Sequence, residues 1–231
     1  MNSLHFHRIH QRFGRRTILD GVAISLCSGH CTLLTGDNGA GKTTLLRILG
    51  GFDRPEQFHV ETGVGGLSWR RYRKLARSSV MYMHQQPYLF EGSVRDNLDY
   101  ALDRKLPKLQ RHERIREALE WGGLERIADS RANTLSGGEC QRVALVRAWL
   151  RQPLYMLLDE PAANMDRDAR LRTVSLLRRL RDEGMSLLIA SHDPDYFSSL
   201  VNERQHLDAG RLKIIEELTG FGKVSSLRAG G

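Results

Sequence analysis

The chain is expected to fold as an α/β protein on a parallel sheet, with a helical lobe inserted in it. Three observations lead there. Residues 31–35, 154–158 and 187–190 are short, continuous apolar runs, the pattern of strands buried on both faces of a parallel sheet. Helical-period segments at 42–49 and 169–181 alternate with them. Between about 88 and 150 the strand pattern gives way to a helical one. At 231 residues the chain can bury a sizeable core, and a single two-lobed unit over 1–216 fits better than two independent domains.

The elements follow in order. Residues 4–30 form short β segments, broken at Phe13-Gly14 and at Ser28-Gly29-His30. The run 31–35 leads into the glycine-rich turn 36–41, and Lys42 opens a helix to Leu49. The strand 80–83 runs into Gln85 and stops at Pro87. Within the lobe, 112–121 carries Ile115, Ala118 and Leu119 at i, i+3, i+4. The strand 154–158 ends in two acids. Residues 169–181 place Leu171, Val174, Leu177 and Leu180 on one helical face with arginines opposite. After the strand 187–190, the turn Asp208-Ala209-Gly210 joins 205–207 and 211–215 as a hairpin. From 217, and most clearly in the Gly/Ser-rich stretch from Thr219, a frayed tail is expected.

Composition excludes several classes. No apolar run approaches the ~18 residues of a membrane span. Residues 1–10, with three histidines and no apolar block, are no secretory signal, so the chain is expected in the cytoplasm. Cys27, Cys31 and Cys140 lack C-x-x-C spacing and are expected reduced and packed. The net charge of +8 is concentrated in Arg70, Arg71, Arg73, Lys74 and Arg77, and in a second stretch from Arg104 to Arg116. Such clusters suit a solvated face, an anionic lipid surface or nucleic acid. No nucleic-acid module pattern accompanies them, so no nucleic acid is expected as partner.

Five motifs carry chemistry. G-D-N-G-A-G-K-T at 36–43 matches G-x-x-x-x-G-K-[ST] and stands between a strand and a helix, the context that pattern needs. A triphosphate requires converging backbone amides, which Gly36, Gly39 and Gly41 allow by removing Cβ clashes. Lys42 adds a cation, the helix dipole favours anions, and the Thr43 hydroxyl suits Mg²⁺. L-L-D-E at 157–160 ends a buried strand, setting Asp159 and Glu160 at the carboxyl edge of the sheet, where ligands bind. Gln85 stands in Q-Q-P, and His192 in S-H-D. In L-S-G-G-E at 135–139, Ser136 and Glu139 form a capping box, with Leu135 and Cys140 placed for a hydrophobic staple.

In order and spacing these motifs resemble the ATP-binding cassette (ABC) ATPases over essentially the whole chain. That resemblance implies a P-loop NTPase fold: a RecA-like core at 1–86 and 151–216, an N-terminal antiparallel β subdomain, and a helical subdomain at 87–150. It implies ATP and Mg²⁺ as cofactors. The loop Gly36, Asp37, Asn38, Gly39, Ala40, Gly41, Lys42, Thr43 and Thr44 would wrap the nucleotide, with Asp37 pointing away from the phosphates. Thr43, Gln85 and Asp159 would hold the metal. Glu160 would act as general base, with His192 and Gln85 sensing the γ-phosphate and its water. Gln86 is the alternative to Gln85, disfavoured because the family places one residue between glutamine and proline. Phe13 falls where the family stacks an aromatic on adenine; a core phenylalanine is the competing assignment. Ser136, Gly137, Gly138 and Glu139 would face the nucleotide of a second subunit, making a head-to-tail homodimer. Asp166 closes Ala163-Asn164-Met165-Asp166 where Ser-Ala-Leu-Asp is usual, a departure that bears on communication across the dimer.

The same resemblance implies an integral membrane permease as partner, a periplasmic binding protein for an importer, and a place at the inner face of the membrane. The run 84–102 looks most like cassettes of small-anion importers of the tungstate and molybdate type. Exporters share much of that run. A ribosome- or nucleic-acid-linked ABC ATPase is the alternative class, though its relatives carry two cassettes, or coiled-coil or zinc insertions, that are not seen here.

Overall fold

The computed structural model describes residues 3–217; the tail expected beyond them lies outside the described residues. Two sheets organise the chain. The first is antiparallel, in the order β2-β1-β4-β5, formed by β1 (Ser3–Phe13), β2 (Arg16–Cys27), β4 (Gln57–Thr62) and β5 (Gly65–Leu67). The second has six strands in the order β10-β9-β3-β8-β7-β6. Its members are β3 (Cys31–Thr35), β6 (Val80–Met83), β7 (Tyr155–Asp159), β8 (Ser186–Ala190), β9 (Glu203–Asp208) and β10 (Arg211–Glu217). All its pairings are parallel except the β9–β10 hairpin.

The parallel strands bury both faces, as their continuous apolar runs require. Leu33, Met156, Leu158, Leu187 and Ile189 enter one core with helices α4 (Lys108–Gly122), α5 (Gly137–Arg151) and α6 (Arg167–Asp182). Their neighbours Leu34, Leu157, Leu188 and Ala190 enter a second core with α1 (Lys42–Leu49) and the antiparallel sheet. A one-residue alternation along each strand thus joins two hydrophobic clusters through one sheet. The lobe also holds the short α3 (Val94–Asp99), capped by the Ser93/Asp96 box.

Several expectations needed correction. Leu171 is 59% exposed, and Leu176 and Thr173 take the buried face of α6 beside Val174, Leu177 and Leu180. The strand expected at 154–158 is shifted by one residue: Leu154 is 41% exposed, and Asp159 itself pairs with Ala190. Residues 57–79 hold β4, β5 and α2 (Trp69–Ser79), none of which was anticipated. The three cysteines are unbridged, with Cys31 buried and the other two half-buried. Burial raises the pKa of each thiol.

Candidate functional site

The carboxyl ends of β3, β6, β7 and β8 converge on the loop that opens α1. After Thr35 the chain turns through Gly36 at φ 145°, Gly39 at φ 78° and Gly41 at φ 108°. A Cβ on Gly36 would lie 2.5 Å from the Leu207 carbonyl oxygen, so only glycine fits there. Gly41 caps α1 without any side-chain hydrogen bond, and the first helical bond runs from Leu45 N–H to Gly41 O at 2.8 Å. Amides before that point have no partner within the helix. Lys42 is buried; its Nζ donates to Gly36 O at 2.6 Å and Asp37 O at 3.1 Å, which sets the ammonium inside the loop.

A cleft of about 280 Å³ adjoins this loop. It is lined by Asn38, Gly39, Gly41, Lys42, Thr43 and Thr44 from the loop and by Ile18, Gln85, Asp159 and Glu160 from elsewhere. Gln85 faces it and Gln86 does not. A neighbouring cavity of about 470 Å³ takes Gly36, Asp37, the other side of Asn38, and His192. Ala40 lines neither and packs on the core. The Thr43 hydroxyl donates to Asp159 Oδ2 at 2.8 Å, and the Tyr82 hydroxyl donates to the same oxygen at 3.0 Å. Burial, then the Asp159 charge, raise the Tyr82 pKa, which keeps that phenol protonated. A hydroxyl, one carboxylate and a nearby amide side chain are hard oxygen donors, the set Mg²⁺ uses when phosphate oxygens and water complete its shell. The residues present therefore fit that ion. Among the described residues no group of three His, Cys, Asp or Glu forms an all-protein cage, the kind of site Mg²⁺ seldom uses.

Glu160 follows β7 at φ 50°, a left-handed conformation that costs a non-glycine residue about 1–3 kcal/mol. Its carboxylate accepts from His192 N–H at 3.0 Å and from Ser191 Oγ at 3.3 Å, and His192 Nδ1 lies 2.8 Å from Oε1. Three atoms just beyond β8 thus hold the acid in place. Tyr82 and Ser191 are functional neighbours to which sequence reasoning assigned no role. Ser191 stood within S-H-D, whereas Tyr82 carried no local signal.

The remaining predicted residues lie outside this cleft. Ser136 caps α5 in a complete box: its amide donates to Glu139 Oε2 at 2.8 Å, and Glu139 N–H donates to Ser136 Oγ at 3.3 Å. The bonds its carboxylate accepts from the Ser136 amide, and then from the Ser136 hydroxyl, hold Glu139 below its ordinary pKa. The Cys140 thiol lies 3.9 Å from the Leu135 carbonyl. A Cβ on Gly138 would come within 2.9 Å of Ala169 Cβ, so this turn abuts the start of α6. There Asp166 serves as N-cap, accepting from Ala169 N–H at 2.7 Å. Phe13 is 59% exposed, which excludes a core role; it pairs with Arg16, whose guanidinium lies 3.5 Å from Gly39 O.

A glycine-rich loop on a helix N-terminus, with two acids at the adjoining strand ends, defines a P-loop ATPase. Residues 19–163 match the family model described as ABC transporter, and the chain belongs to that family as an ATP-binding cassette that hydrolyses ATP. It is 35% identical over 207 residues to the aliphatic sulfonates import ATP-binding protein of Granulibacter bethesdensis, covering 89% of this chain and 80% of that one. It is 36% identical over 205 residues to the lipoprotein-releasing system ATP-binding protein of Bordetella pertussis, covering 86% and 88%. A solved ATP-binding cassette, dimeric in a post-hydrolysis state with ADP and Pi, superposes with a TM-score of 0.79 at 25% identity, covering 94% of this chain and all of that one.

Proposed function

We propose that residues 1–216 act as one cassette, with core segments 1–86 and 151–216 and a helical lobe at 87–150. The cassette pairs head to tail with a second copy and drives a separate membrane permease from its cytoplasmic side. The observation that carries this is the Glu160 carboxylate, strained in backbone and held by Ser191 and His192 beside the Thr43–Asp159 pair. In the proposed reaction Lys42 and the loop amides bind the β and γ phosphates, and Gln85 and His192 position water. Glu160 takes a proton from that water as its oxygen bonds to the γ-phosphorus. The bond to the bridging oxygen breaks, giving ADP and phosphate. Thr43, Asp159 and Gln85 would hold Mg²⁺, which would supply charge neutralisation when bound. Phe13 stacks on adenine. Ser136 to Glu139 and Asp166 of the second copy close the site.

The test begins with Glu160→Gln, expected to keep ATP binding while slowing turnover by roughly 10²–10⁴-fold. Unchanged turnover would refute the base assignment. Mixing Lys42→Ala with Ser136→Arg chains should restore one composite site of two; absence of rescue would count against the dimer.

For cargo we favour import of a small oxyanion of the tungstate or molybdate type, with a periplasmic binding protein delivering it. The 84–102 run supports this, and the similarity to a sulfonate-import protein is compatible with it. An exporter is the second reading, favoured by the equally similar lipoprotein-releasing relative. Reconstitution with the permease encoded beside it, measuring ATP turnover as tungstate, molybdate, a sulfonate or a lipoprotein is added, separates them.

A further inference from the structure

The fold treats the two basic stretches of the sequence differently. In the second, two of the six cations meet acids: Arg111 pairs with Asp99, and Arg114 with Glu117 at 3.4 Å. The first is α2, a helix with no acidic residue. Arg70, Arg73, Lys74 and Arg77 stand at i, i+3, i+4 and i+7, hence on one helical face about 10 Å long. All four are exposed, while Tyr72, Ala76 and Ser79 form the buried side. None of the four takes part in an ion pair among the described residues.

Helix stability does not account for this stripe. Arg70 and Arg71 occupy the first turn, where the positive end of the helix dipole disfavours cations, and Ser68 caps the helix without a side-chain hydrogen bond. Like charges three and four residues apart repel one another. The stripe is therefore unfavourable for the isolated fold and becomes favourable only against external negative charge. Nucleic acid is the weaker complement, because single strands are held by stacking as well as charge. The two aromatics of α2 are already used: Trp69 packs edge-on against Phe58 with ring centroids 5.1 Å apart, and Tyr72 is buried in the same cluster. Location agrees with a membrane surface. Helix α2 packs on β6, the edge strand of the six-stranded sheet, and β6 leads directly to Gln85 and into the 84–102 run that supports the importer reading above.

We infer that the Arg70/Arg73/Lys74/Arg77 face of α2 docks on anionic lipid headgroups and holds the cassette against the membrane beside its permease. This rests on the reading of the chain as a transporter subunit. The purified chain is mixed with vesicles of phosphatidylcholine alone or with phosphatidylglycerol added, and bound protein is measured by flotation. Replacing the four α2 cations by Gln should reduce binding to the anionic vesicles by about tenfold or more. A charge-matched control replacing Arg104, Lys105, Lys108 and Arg116 by Gln should reduce it far less, and both variants should retain wild-type ATP binding, which shows that they fold. Equal losses in the two variants would show that binding follows net charge alone and would overturn the proposal. So would binding to phosphatidylcholine as strong as to the anionic vesicles, or an α2-dependent preference for single-stranded RNA over vesicles in competition. The assay contains no permease, so its failure leaves the transporter reading standing. Conversely, a permease that neither captures the chain nor stimulates its ATPase removes that reading even if vesicle binding is intact.

Discussion

The loop at 36–41 and the turn at 136–139 are both glycine-rich entries to a helix, yet they satisfy their amides in opposite ways. At α1 the cap is Gly41, there is no side-chain cap and no acid in the first turn, and the turn's own charge is the Lys42 ammonium folded into the loop. At α5 the cap is Ser136, and Glu139 already supplies a carboxylate to the turn. The first is a positive end whose own turn carries no acid, and a bound phosphate would complete it. The second closes on its own carboxylate through the capping box. One turn lacks a carboxylate of its own and the other contains one, a difference that the proposed two-chain site would use.

Substitutions can break or sharpen this contrast. The largest effect is expected for Gly36→Ala, where a positive φ and a backbone oxygen 2.5 Å from the new Cβ should cost about 2–5 kcal/mol, measured by urea denaturation. Next comes Lys42→Ala. Losing charge-assisted bonds worth about 1.5–3 kcal/mol should weaken ATP binding to the isolated chain roughly 10- to 100-fold, whereas Ser136→Ala should leave it unchanged in the same titration. Equal weakening would mean that the two turns share one nucleotide within a chain. Ser136→Ala should instead lower stability by about 1 kcal/mol through the lost cap. Gly137→Ala should be neutral or stabilising by a few tenths of a kcal/mol up to about 1, since a Cβ there meets open space. The smallest effect is pH-dependent. The Glu139 pKa is lowered in the fold, so its contribution is present above the ordinary carboxylate range and fades as pH falls through the lowered value. The melting difference between wild type and Glu139→Gln should therefore be present at neutral pH and vanish in acid.

Much of this site was legible because its signals are local. The bounds of β3, α1 and β6 agree with those expected, since a buried strand, a glycine turn and a helix start each leave a pattern within a few residues. Residues 57–79 were not legible. In β4 only Val60 is buried, and α2 buries so few positions that its arginines dominate the pattern. Leu171 shows the converse, an apolar residue in phase with its helix that no neighbouring element covers.

By itself the sequence determined the strand and helix on either side of the glycine loop, the loop itself, the capping box at Ser136 and the identity of the acids at 159 and 160, because each depends on backbone sterics and short-range hydrogen bonding. It left Phe13 balanced between core and surface, and gave no sign that Tyr82 would share an oxygen of Asp159 with Thr43 or that Ser191 and His192 would grip Glu160. Those facts belong to the tertiary structure. They depend on β6, β7 and β8 lying side by side in parallel, so that the ends of strands far apart in sequence meet at one edge of the sheet.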